Sequence, residues 1–122
     1  MNIISNTNTI NLDELISFSR GDKNVIHKYL KQFSSLIPGR IDSLKEQLKA
    51  EDRKRVRQIL HQMSPQLQFF GIDGVVTPIR RLEHEYETMP LDELKQIVAN
   101  IINKLYLATK EVDMVLNENF NH

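Results

Sequence analysis

Apolar side chains at Val25, Ile26, Tyr29, Leu30, Phe33, Leu36, Ile37, Ile41, Leu44 and Leu48 keep helical spacing straight through Pro38. A strand alternates with period two and cannot carry such a stripe, so this stretch reads as a helix. We expect one helix over 22–49, bent near Pro38. An interior proline costs roughly 3 kcal/mol in lost hydrogen bonding and ring clash, so a break at Ile37 into two helices is the alternative. The unbroken phase of the stripe favours the single helix.

A helix of that length needs partners, and the remaining sequence supplies them. Residues 1–10, with Asn2, Asn6 and Asn8 and no apolar period, read as a tail whose end docks with the next segment. Asn11 caps a short helix running from Leu12 through Leu15 and Ile16 to Phe18, and Ser19-Arg20-Gly21 stops it. Asp22 caps the long helix. Glu51-Asp52 opens a third helix with negative charge at the positive dipole end, and its stripe is Val56, Ile59, Leu60, Met63, Leu67 and Phe70. That helix stops at Gly71.

Asp73 is the expected cap of a fourth helix carrying Val75, Val76, Ile79, Leu82 and Tyr86, ending near Thr88 ahead of Pro90. A fifth runs from Leu91 to about Asn117, and residues 118–122 read as a second tail. Short connections between amphipathic helices imply antiparallel neighbours. The expected fold is therefore all-α: an up-and-down four-helix bundle over 11–117, with the small N-terminal helix across one end.

Composition narrows the chemistry. With no cysteine among 122 residues, thiolate metal sites, disulfides and cysteine nucleophiles are excluded. Sixteen basic and sixteen acidic side chains cancel, so no global field draws the chain to nucleic acid or anionic lipid. No apolar run approaches the ~20 residues of a membrane span. The expectation is a soluble, cytoplasmic monomer that chooses its partners locally.

Histidine, carboxylates and hydroxyls remain as reactive groups, and one histidine is singled out by position. On a helical wheel the apolar stripe of the third helix centres near Met63, and His61 falls almost opposite. Arg57 lies one turn before it, Lys54 two turns before, Ser64 and Pro65 one turn after, and Gln68 two turns after. Phe69 also faces outward. A solvent-facing imidazole with cations and an apolar ring beside it suits docking of an acidic partner, although most surface histidines have no such role.

The run His61-Gln-Met-Ser-Pro-Gln-Leu-Gln-Phe-Phe-Gly71, followed by Val75, Ile79, Leu82 and Glu83, resembles the histidine-containing phosphotransfer (HPt) family. In that family a phosphorylated histidine precedes a glycine by ten residues, apolar residues recur beyond the glycine, and a glutamate follows. Leu12, Gly21-Asp22 and Pro38 resemble its upstream features, so the likeness spans 11–116. It implies a phosphoryl carrier, not a self-sufficient enzyme, with His61 accepting from a response-regulator aspartate and passing to another receiver. Partners would be receiver domains and a hybrid sensor histidine kinase. The chain itself needs no cofactor, because the receiver brings its acidic pocket and a divalent cation.

The family usually has lysine three residues and glycine four residues after the histidine, where this chain has Ser64 and Pro65. The resemblance then leaves Arg57 or Lys54 to supply positive charge, with Gln68 or Ser64 orienting the ring or the phosphoryl group. Phe69, Ile72 and Pro65 would meet the partner. Pro65 cannot donate to the His61 carbonyl, so the helix either bends there or restarts with Ser64 as cap; the stripe favours continuity. A degenerate, non-phosphorylated adaptor binding through the same face is the competing reading. Glu83-His84-Glu85 lacks the second histidine of a His-Glu-x-x-His metal motif. His27 is expected as an exposed helix residue.

Overall fold

The structure is a computed structural model that describes residue 3, residues 6–72 and residues 74–120. Five helices follow one another: α1 (Asp13–Ser19), α2 (Lys23–Lys49), α3 (Arg53–Phe69), α4 (Val76–Glu85) and α5 (Leu91–Asn119). Both prolines with interior positions lie within unbroken helices, Pro38 in α2 and Pro65 in α3. Continuity of the buried stripe outweighs the local cost of each proline, as expected.

Helix starts follow the expected side-chain chemistry in part. Asp22 Oδ1 accepts from the backbone N–H groups of Asn24 (2.9 Å) and Val25, and Asp52 Oδ1 accepts from Arg55 N–H at 3.0 Å. Leu12, not Asn11, is the N-cap position of α1, yet Asn11 Oδ1 still accepts from Asp13 N–H at 2.9 Å. The expected Asp73 cap lies outside the described residues. Helix α4 stops at Glu85, three residues short of the expected end. Past that end Arg53 Nη1 donates to the carbonyls of Tyr86 (3.0 Å) and Met89, and Pro90, with no N–H, could not have served the Tyr86 carbonyl in a longer helix. Helix α5 runs two residues past the expected Asn117.

Cross-helix pairs fix the topology. His27 stacks on Phe120, Ser34 Oγ donates to Asp113, and Lys45 meets Tyr106, so rising numbers on α2 pair with falling numbers on α5. The same inversion relates α2 to α3 (Phe33 on Phe70, Arg40 to Gln62) and α3 to α4 (Arg53 to Tyr86, His61 to Glu83). Neighbours are antiparallel throughout, and the order around the bundle is α2, α3, α4, α5, with α1 against α2.

The core is one continuous cluster in which Ile26, Leu30, Phe33, Ile37, Ile41 and Leu44 of α2 face Val56, Ile59, Leu60, Met63 and Leu67 of α3, closed by Ile79, Leu82 and the α5 stripe. Phe33 and Phe70 stack at 4.4 Å within it. The N-terminal segment docks more deeply than its composition suggests. Ile10 is fully buried, and Glu111 on α5 accepts from Thr7 Oγ1 and from the N–H groups of Thr9 (2.9 Å) and Ile10 (3.1 Å). His27 is half-buried against the Phe120 ring (4.8 Å, 11°), a correction to its expected exposure. No helix of the described residues is long and apolar enough to cross a membrane.

Candidate phosphoacceptor site

Met63 and its neighbours turn into the core, and the opposite side of α3 therefore turns His61 to solvent. Its side chain is 66% exposed while the paired Glu83 side chain on α4 is 27% exposed. Glu83 Oε1 lies 2.8 Å from His61 Nδ1. A carboxylate can only accept, so Nδ1 carries the hydrogen and donates it. The ring is thereby oriented, and in the neutral tautomer the lone pair sits on Nε2, away from Glu83.

The expected ring-orienting residues, Gln68 and Ser64, do not perform that contact. Gln68 Nε2 instead donates to Ser64 Oγ at 3.4 Å, one turn further along α3. In the sequence Glu83 stands out only as the glutamate that closes the pattern after Gly71. Its pairing follows from an antiparallel α3–turn–α4 hairpin, because Ile72 in the turn is eleven residues after His61 and eleven before Glu83.

The cations divide by position. Arg57, one turn before His61, lies over the Tyr86 ring with its guanidinium carbon 5.3 Å from the centroid, and its Nε is buried without a hydrogen-bond partner. It borders the site on the α4 side. Lys54 is exposed and lines a shallow cleft with Arg53, Tyr86 and Glu87 at the far end of α3. Seven residues from His61, about 10 Å along the axis, it is not brought to the imidazole.

Of the expected partner contacts, Pro65 is exposed next to His61. Ile72 is not available: it is 1% exposed, and this corrects its expected place on the docking face. The chain turns inward after Gly71, where Ile72 N–H donates to the Leu67 carbonyl at 3.1 Å and carries the side chain into the core. Phe69 is half-buried rather than fully outward. It meets Tyr29 (5.7 Å) and Phe18 (5.6 Å) edge to face, and Phe18, 60% exposed, is the ring that reaches solvent. In the sequence Phe18 stands out only as the last apolar residue of the short helix, and nothing local shows that its ring turns towards Phe69.

No family model matches the chain, and no curated protein matches it. Among solved structures, it is similar to the HPT domain of an Hpt sensor hybrid histidine kinase from Shewanella, with a TM-score of 0.77 at 15% identity over 91% of this chain and 96% of that one. On that likeness, the five-helix chain has the fold of an HPt domain.

Proposed function

We propose that this chain is a histidine phosphotransfer module, accepting a phosphoryl group from a receiver-domain aspartate on His61 Nε2 and returning it to another receiver. One observation carries the reading: an exposed imidazole in the middle of a bundle helix, its Nδ1–H bound by Glu83. Nε2 attacks phosphorus in line, the N–P bond forms, and the P–O bond to the aspartyl carboxylate breaks with its electron pair staying on that carboxylate. No proton leaves Nε2. The phosphorylated ring holds a positive charge and keeps its Nδ1 hydrogen against Glu83, whose carboxylate stabilises it. The reverse step is equally accessible.

The partner supplies the acidic pocket and divalent cation, so the chain contributes an aimed nucleophile and a surface. Pro65, Gln68 and the Phe18–Phe69 rings extend from His61 towards the α1 end, offering apolar contact, while Arg57 offers positive charge to receiver carboxylates. Soluble, cytoplasmic partners fit this role. Ser64 and Pro65 favour the competing adaptor reading, and one experiment separates the two. Labelled phospho-receiver is mixed with wild type and with His61→Gln; acid-labile label on wild type alone supports transfer, and label on neither supports the adaptor.

A further inference from the structure

No basic side chain of α3 follows His61 within the next turn. A phosphoryl group on Nε2 carries negative charge, and one turn past His61, on its C-terminal side, α3 offers only the Ser64 hydroxyl and Pro65. We propose that Arg80, reaching across from α4, supplies the positive charge on that side; the inference rests on the phosphotransfer reading above.

Helix register places Arg80 there. His61 pairs with Glu83, and α3 and α4 are antiparallel, so a step of one turn forward on α3 corresponds to one turn back on α4. One turn back from Glu83 is Arg80, which therefore stands opposite Ser64. The wheel of α4 agrees. Ile79 and Leu82 are buried, Glu83 flanks them on the α3 side, and Arg80 continues that flank outward in an exposed position. Its neighbour Arg81 leaves on the other side, towards α5, where it binds Glu85 (3.1 Å) and Glu93.

Arg80 is also uncommitted. Among the described residues it enters no ion pair or hydrogen bond, whereas Arg81 is held by two carboxylates and Arg57 lies over Tyr86 on the N-terminal side of His61. A free guanidinium on a long stem, next to a hydroxyl and one turn from the nucleophile, can donate two parallel N–H bonds to phosphoryl oxygens once they arrive. Arg57 and Arg80 would then bracket the phosphoryl group from the two sides of His61.

Phosphoramidate, a small phosphoryl donor, tests this without a protein partner, so a slowed reaction cannot be ascribed to lost docking. Uptake by the full chain is followed by mass or by phosphorus NMR. Arg80→Ala is expected to slow phosphorylation about tenfold, with Arg80→Lys within roughly threefold of wild type and millimolar guanidinium ion restoring much of the alanine variant's rate. Arg81→Ala should match wild type. Unchanged uptake in Arg80→Ala, or a loss that neither lysine nor guanidinium ion repairs, overturns the role of Arg80 while leaving phosphotransfer standing. Failure of wild type itself to take phosphoryl from phosphoramidate or from a phospho-receiver overturns both.

Discussion

Removing the carboxylate of Glu83 should slow phosphoryl uptake without unfolding the bundle, and the size of the effect follows from the pair's geometry. The hydrogen bond is short, 2.8 Å, and charge-assisted, a class that contributes about 1.5–3 kcal/mol where solvent is excluded. Here His61 is 66% and Glu83 27% exposed, so water competes and the lower end applies. In the ground state the pair contributes little; an exposed ion pair adds roughly 0–1 kcal/mol to stability. In the transition state the ring gains positive charge, and about 1–1.5 kcal/mol of stabilisation is lost with the carboxylate, roughly a five- to tenfold drop in rate. Glu83→Gln keeps an oxygen that can accept from Nδ1–H but loses the charge, so it should fall between Glu83→Ala and wild type. Rapid-quench measurement of transfer from a labelled phospho-receiver gives the rates, and thermal melts followed by circular dichroism give the stability. Equal rates in wild type and Glu83→Ala would refute the reasoning, as would a rate loss matched by a melted bundle.

Two further predictions concern the scaffold. Gly71 has φ +59°, and a Cβ there would sit 2.8 Å from both Cβ and the carbonyl oxygen of Asn11, so Gly71→Ala should destabilise by about 1–3 kcal/mol in urea unfolding; an unchanged midpoint would show that the α3 end and the N-terminal segment are not locked together. Pro65→Ala restores the N–H that the His61 carbonyl lacks and should raise stability by about 1–2 kcal/mol, read from the same unfolding curves, where a fall would mean the helix depends on the proline.

The parts of the fold governed by local chemistry were legible in the sequence. A stripe that keeps its phase across Pro38 and Pro65 specifies continuous helices, and Asp22 and Asp52 mark two of the starts. What depended on distant partners was not. The burial of Ile10 and the order of the segment before it depend on Glu111, about a hundred residues away, and nothing in an Asn-rich tract announces that. The carbonyls just past α4 are likewise met by Arg53, more than thirty residues away, which local propensity could not show. Ile72 lies in a turn, where helical periodicity says nothing about direction, and its burial reversed the expected docking role. At the site, exposure of His61 followed from the stripe alone. Its orienting partner comes not from its own helix but from α4, where the hairpin register with α3 places Glu83.

On the proposed mechanism His61 offers Nε2, and not Nδ1, to the phosphoryl donor because Glu83 occupies the other nitrogen. Phosphorus and nitrogen NMR of the phosphorylated chain distinguish the two attachment sites on the ring. Phosphoryl is expected on Nε2 of His61, with Nδ1 still protonated. Phosphoryl on Nδ1, or on any other residue, would contradict it.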